Sequence, residues 1–235
     1  MPHLAINNLS HRYGRSLVLR DVTAKFDPGL TTLLGVNGAG KTTLLRLVAG
    51  DLRHRGGGSI VLDPDGERPR LMPQFPRYVW RLTAAEYVKY CAWLGGAPPR
   101  ELASRAEAAL ERVGLAEAGA RPTSRLSGGM LRRLALAATL ASGRVALLLD
   151  EPMSGLDPIQ QVEVAEAIRT IATESVVVMS THGIGSDDLV GDQIVLLHGG
   201  TVAFAGAATR FVSEAPGHAD GTAEAFRRWT AAAGS

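Results

Sequence analysis

Cysteine is almost absent: Cys91 is the only one in 235 residues. An internal disulfide is therefore impossible, which fits a reducing compartment. Cys91 lies in an apolar helical stretch and reads as an inert buried thiol, not a nucleophile. Long apolar runs are missing too. No stretch approaches the roughly 18 residues that a membrane span needs, so any membrane role is expected to come through a partner. The first ten residues lack the charged-then-apolar order of a secretion signal. There is no excess of one charge, with 25 Lys and Arg against 23 Asp and Glu and a net charge of +2. With no long basic run, a nucleic-acid surface is not expected, and Arg132-Arg133 and Arg227-Arg228 read as solvated helix faces. No internal repeat is visible. What remains is an ordinary globular composition, 46% hydrophobic and 20% charged, long enough for one domain with a large core.

The chain is organised around Gly35-Val36-Asn37-Gly38-Ala39-Gly40-Lys41-Thr42-Thr43. This fits G-x-x-x-x-G-K-[ST], a phosphate-binding loop. Residues 30–34 before it are apolar and β-branched and read as a buried strand. Residues 43–49 after it read as a helix, stopped by Gly50. Glycines let the backbone approach an anion closely. Successive N–H groups then face one concavity at the positive end of a helix. Lys41 adds a point charge for β- and γ-phosphates, and the Thr42 hydroxyl can bind Mg²⁺.

Short strands are expected at residues 4–9 and 16–19, flanking Tyr13-Gly14. Asp27-Pro28-Gly29 is a turn. Residues 53–58 are a basic, glycine-rich loop. A strand at 59–62 is closed by Asp63-Pro64-Asp65-Gly66, and 71–74 is a short strand running into a loop. Thr83 with Glu86 three residues on is a capping box. Tyr87, Tyr90, Cys91 and Leu94 share helical spacing and predict one apolar face. A second helix spans 100–113, and the all-helical stretch runs to about Ser142. Alternation then returns: a buried strand at 145–149, a helix at 158–173 with Pro158 in its first turn, and a strand at 175–179. Residues 193–197 and 201–204 flank Gly199-Gly200, a hairpin by turn chemistry. The tail from Glu214 reads as loop plus one helix near 223–229. The fold class is α/β: a mainly parallel core sheet, an antiparallel β-subdomain near the N-terminus and an inserted α-helical subdomain. The expected division is a main domain at 1–213, with its insert at about 75–142, and a part-helical tail at 214–235.

Asp150 ends an apolar strand and Glu151 follows it. A carboxylate at a strand's C-terminal end, beside a phosphate loop, can hold Mg²⁺, and Glu151 can polarise an attacking water as general base. Leu126-Ser127-Gly128-Gly129-Met130 is the third stretch.

With these three motifs, the chain resembles the ATP-binding subunit of ATP-binding-cassette (ABC) transporters, over residues 13 to about 206. Leu-Ser-Gly-Gly is that family's own signature. Ser154-Gly155-Leu156-Asp157 resembles its D-loop, and Ser180-Thr181-His182 puts His182 at its switch histidine. Gln74 matches its Q-loop glutamine, and Tyr13 an aromatic that stacks on adenine. The resemblance implies ATP and Mg²⁺ as ligands, with Thr42, Gln74 and Asp150 at the metal and Glu151, His182, Lys41 and Gln74 serving hydrolysis. It implies a composite site, in which a second copy supplies Ser127, Gly128 and Gly129 to the γ-phosphate and Asp157 packs across the dimer. It also implies an integral membrane permease as partner and a place on the cytoplasmic face of the membrane. Phe75, Tyr78, Trp80 and Tyr87, near the Gln74 hinge, are candidates for the docking groove or for the subdomain core.

Met130 stands where many cassettes carry glutamine. Met130 and residues 83–87 resemble the subset serving ABC-2 type exporters. Val36 replaces a common proline without consequence for phosphate contact, and Gly183-Ile184-Gly185 is unusually glycine-rich. No catalytic position is lost, so active hydrolysis is expected. The alternatives are a soluble ABC-type ATPase with a non-transport role, which usually carries two cassettes or a long coiled coil; a small-molecule kinase, opposed by the signature and His182; and a non-catalytic nucleotide-binding regulator, opposed by Glu151. The transported substrate is not encoded in these residues.

Overall fold

The computed structural model describes residues 4–62, 68–142, 146–182, 191–217, 219 and 221–234. Its elements are β1 (Leu4–Tyr13), β2 (Ser16–Phe26), β3 (Gly29–Leu34), α1 (Lys41–Ala49), β4 (Ser59–Leu62), β5 (Arg70–Met72), α2 (Ala84–Leu94), α3 (Leu102–Arg112), α4 (Gly128–Ala141), β6 (Ala146–Asp150), α5 (Pro158–Ala172), β7 (Val176–Thr181), β8 (Gln193–His198), β9 (Thr201–Ala207), α6 (Ala208–Ser213) and α7 (Thr222–Ala233). The residues expected to close β4, Asp63 to Gly66, and the glycine-rich Gly183-Ile184-Gly185 lie outside the described residues.

Six strands form the core sheet in the order β5-β6-β7-β3-β8-β9. All are parallel except β9, which turns back on β8. The turn is Gly199-Gly200, both at positive φ, as a tight hairpin requires. The unbroken apolar runs of β6 and β7 follow from burial on both faces. Alternate side chains split between two layers. Leu147, Leu149, Val177 and Met179 join the helices α2 to α5. Leu148, Val176 and Val178 join α1 and the N-terminal strands. This period of two is the pleat read directly in the core.

The antiparallel sheet is β2-β1-β4. Its first two strands run much further than the apolar alternation suggested. Asn8 and Asp21, both at positive φ, sit beside shifts in the β1–β2 register. Such irregularities absorb an extra residue without ending the pairing. The sequence pattern breaks at these polar residues, but the hydrogen-bonded ribbon does not. The Asn8 amide donates to Thr23 Oγ1 at 3.0 Å, and the Asp21 amide to Ser10 Oγ at 2.9 Å.

Helix α2 carries the expected capping box: Thr83 Oγ1 accepts from the Glu86 amide, and the Glu86 carboxylate accepts from the Thr83 amide. Its apolar face is not the predicted one. Ala84, Tyr87, Val88 and Ala92 are buried, whereas Tyr90 and Leu94 are 43% and 60% exposed. The small alanines lie in the core cluster shared with Leu134, Ala135 and Ala138 of α4, and close approach decides the face where bulk hydrophobicity suggested another. Cys91 is half-buried, and burial raises its thiol pKa above the ordinary value. The tail is part of the core. Phe211 and Ala225 are fully buried with Phe204, Leu34 and Leu196, and Trp229 Nε1 donates to the Phe211 carbonyl at 3.0 Å.

Candidate functional site

Because β3, β5, β6 and β7 are parallel, their C-terminal ends share one edge of the sheet. Leu34 pairs with Thr181, Asp150 with Ser180, and Met72 with Leu149. Whatever follows each strand therefore opens on the same crevice, where ligands bind in open α/β sheets. The glycine loop follows β3, Gln74 follows β5, Glu151 follows β6 and His182 follows β7. Together they line a cleft of about 670 Å³ with Tyr13, Val18, Asn37, Gly38, Ala39, Gly40, Lys41, Thr42, Thr43 and Ser154.

The loop packs closely on the protein's own core. Gly40 caps α1 at φ 103°, and a Cβ there would come within 2.7 Å of Leu19 Cδ2. The Lys41 ammonium donates to the carbonyls of Gly35 at 2.6 Å and Val36 at 3.2 Å. Burial pulls the Lys41 pKa below the ordinary lysine value, while Glu151 and Asp150 oppose that shift. A buried cation held only by neutral carbonyls beside a cleft is suited to an anion. The Val36 side chain is exposed. Tyr13, 45% exposed, meets buried His11 edge-on with ring centroids 5.0 Å apart.

The carboxylates differ in surroundings. Asp150 is 3% exposed, and its Oδ1 accepts from Ser180 Oγ at 2.7 Å. The same hydroxyl accepts from the Glu151 amide at 2.9 Å. Glu151 has φ 47°, an uncommon conformation for a residue with a side chain, costing of the order of 1–3 kcal/mol and concentrated at functional sites. Its Oε2 accepts from Gln74 Nε2 at 2.8 Å and lies 3.3 Å from His182 Nδ1. Glu151, Gln74 and His182 thus converge on one oxygen.

Other predicted residues lie elsewhere. Ser127, Gly128, Gly129 and Asp157 do not line this cleft. Ser127 caps α4, its hydroxyl accepting from the Met130 amide at 3.2 Å. Ser127 and Gly128 are exposed, and Gly129 is buried against Gln160. Asp157 caps α5, accepting from the Gln160 amide at 2.9 Å. The aromatic set divides. Tyr78 and Tyr87 donate their hydroxyls to the carbonyls of Leu131 and Arg77 and belong to the helical core, whereas Phe75 and Trp80 are 77% and 55% exposed.

Two expectations about arginine are corrected. Arg132 donates to the Gln74 carbonyl at 2.6 Å and to the Ser154 carbonyl at 3.1 Å. Arg133 pairs with Glu163 at 3.1 Å and also reaches the Val113 carbonyl. Neither forms a solvated face; both follow the signature closely in sequence, where a charge pair carries no mark of burial. Ser180 was passed over as well, hidden between an apolar strand and His182.

A family model described as ABC transporter matches residues 19–154. The chain is 34% identical over 207 residues to the uncharacterised ABC transporter ATP-binding protein YxlF of Bacillus subtilis, covering 86% of this chain and 70% of that protein. It is 30% identical over 210 residues to the taurine import ATP-binding protein TauB of Roseobacter denitrificans, covering 84% and 78%. A solved ATP-binding subunit of an ABC transporter superposes with a TM-score of 0.80 over 97% of this chain and 99% of that one, at 24% identity, which speaks for the fold. No helix among the described residues is long and apolar enough to cross a membrane. A nucleotide cleft of this form, on a chain with these relatives, belongs to the ABC transporter family, as one of its ATP-binding, ATP-hydrolysing subunits.

Proposed function

We propose that this subunit works as a head-to-tail homodimer that closes on two ATP molecules and opens after hydrolysis, driving an exporter through a separate membrane permease. One observation carries the composite site. The cleft gathers Lys41, Gln74, Glu151 and His182, while the exposed Ser127 and Gly128 of the same chain lie outside it. Ser127 and the first amides of α4 form a helix N-terminus, which suits a phosphate, and a second copy is the source that brings them to it.

In this reading Tyr13 stacks on adenine and residues 35–43 hold the phosphates. Thr42, Asp150 and the Gln74 amide oxygen would hold Mg²⁺; a hydroxyl and few carboxylates suit an ion that completes its shell with phosphate oxygens and water, and when bound it would screen phosphate charge. Glu151 takes a proton from water as its oxygen attacks the γ-phosphorus. The bond to the β-phosphate oxygen breaks, and ADP and phosphate result. His182 and Gln74 orient that water through the Glu151 oxygen they share. Losing the γ-phosphate removes a contact made only in the closed dimer, which shifts the population to the open one.

Residues 1–213 form the ATPase unit, with an insert at about 75–142, and 214–235 buttress it. Phe75 and Trp80 form the permease contact beside the Gln74 hinge. Export rests on Met130 and residues 83–87; TauB, at 30% identity, is named for import. The subunit acts on the cytoplasmic face of the membrane. Light scattering during size-exclusion chromatography of Glu151→Gln tests the dimer: Mg-ATP should convert monomer to dimer with hydrolysis abolished, and Ser127→Arg should prevent it. A Glu151→Gln monomer at saturating Mg-ATP would remove the isolated-dimer reading. Trp80→Ala should lower permease-stimulated hydrolysis and spare ATP binding; equal loss of both would reject the docking role.

A further inference from the structure

Arg132 uses one guanidinium for two carbonyls, each belonging to a segment that is hydrogen-bonded to Glu151. Nη1 meets the Gln74 carbonyl at 2.6 Å and Nη2 the Ser154 carbonyl at 3.1 Å. Gln74 in turn donates its side-chain amide to Glu151 Oε2 at 2.8 Å. The Ser154 amide donates to the Glu151 carbonyl at 3.1 Å, closing the turn that carries this glutamate. Both segments that hydrogen-bond Glu151 are therefore tied to the same side chain of α4.

Helix α4 is joined to the Gln74 segment a second time, by the Tyr78 hydroxyl on the Leu131 carbonyl at 2.9 Å. The hydroxyl is protonated at neutral pH and donates, and burial raises its pKa further, to about 12. These links leave residues 74–78 little freedom to move apart from α4. An arginine suits the junction because its planar fork holds two acceptors in fixed directions, where a lysine supplies a single flexible charge.

We propose that Arg132 is a positioning residue for hydrolysis: it fixes the Gln74 amide, and through it the Glu151 carboxylate, to the helix that begins at Ser127. The inference rests on the hydrolytic roles proposed for Gln74 and Glu151. Any shift of α4 is felt at both carbonyls together.

The test is a double-mutant cycle on the purified subunit, reading steady-state hydrolysis and the affinity for a fluorescent ATP analogue. Arg132→Lys should lower kcat about tenfold, as loss of a supporting contact typically does, with analogue affinity within about twofold. Arg132→Gln serves the same purpose should the lysine variant fold poorly. In a Gln74→Ala background the Arg132 substitution should have little further effect, because residues acting as a unit are not additive. A slowing of the same size in both backgrounds, an affinity loss that matches the kcat loss, or an unchanged kcat would each overturn the role. Gln74→Ala and Glu151→Gln alone separate the two ideas. If neither slows hydrolysis, the underlying site assignment fails and the inference falls with it. If both do and Arg132 is uncoupled, the inference fails alone.

Discussion

The Ser180 hydroxyl donates to Asp150 Oδ1 at 2.7 Å and accepts from the Glu151 amide at 2.9 Å. One fully buried oxygen thus fixes two consecutive acidic residues from the neighbouring strand. Ser180→Ala would leave a buried carboxylate oxygen and a backbone amide unpaired, a loss of about 1–3 kcal/mol. Urea denaturation should show that loss, and hydrolysis should fall more than nucleotide affinity, since the amide holds Glu151 in its unusual backbone conformation.

Gly35 is required by space. A Cβ there would lie 2.5 Å from the Leu197 carbonyl oxygen, a backbone atom of the paired strand β8. Gly35→Ala must push the loop off the sheet and with it the carbonyl that Lys41 holds. A stability loss of about 1–3 kcal/mol, typical of overpacking, should accompany weaker ATP binding in isothermal titration. Normal affinity in a destabilised protein would mean that the loop re-forms when nucleotide arrives.

The cap of α2 is pH-dependent in a defined direction. The Thr83 amide and hydroxyl hold the Glu86 carboxyl below its ordinary value of 4.5. A depressed carboxylate adds stability above the unfolded value and loses it as pH falls through the folded one. Stability from this cap should be constant above pH about 4.5 and decline below it. Thr83→Ala should cost about 1 kcal/mol at neutral pH, and the gap between variant and parent in thermal melts should narrow in acid. A gap independent of pH would place the effect outside the capping box.

The C-terminal helices α6 and α7 are structural. Phe211 is fully buried between Phe204 and Trp229, with ring centroids 5.1 and 6.3 Å away. Phe211→Ala should cost about 3–5 kcal/mol, as deletion of a buried aromatic ring does. Ending the chain before α7 should destabilise the β8–β9 side of the sheet and make the shortened protein more sensitive to proteolysis. A truncated chain with unchanged stability would show that α7 contributes nothing to the core.

The cleft residues were legible because they follow strands. Once residues 30–34, 145–149 and 175–179 read as buried strands of a mainly parallel sheet, the stretches that follow them, with Lys41, Glu151 and His182, were expected on one edge. The helical face of α2 was not legible in the same way. Alanine is weakly hydrophobic in a pattern but decisive where two helices approach, so Ala84 and Ala92 went inside while Tyr90 and Leu94 stayed out. The ends of β1 and β2 were missed because Asn8 and Asp21 interrupt the pattern without interrupting the pairing.

The order of motifs alone marked out the phosphate loop, the signature stretch and the family they resemble, because those depend on residue type at fixed spacing. Only the tertiary structure decided which groups share a hydrogen bond. Gln74 and Glu151 stand 77 positions apart, and Arg132 reaches Gln74 across 58. Such contacts depend on where two strands and a helix come to rest against one another. Sheet pairing and close packing set that position, and no local pattern records it.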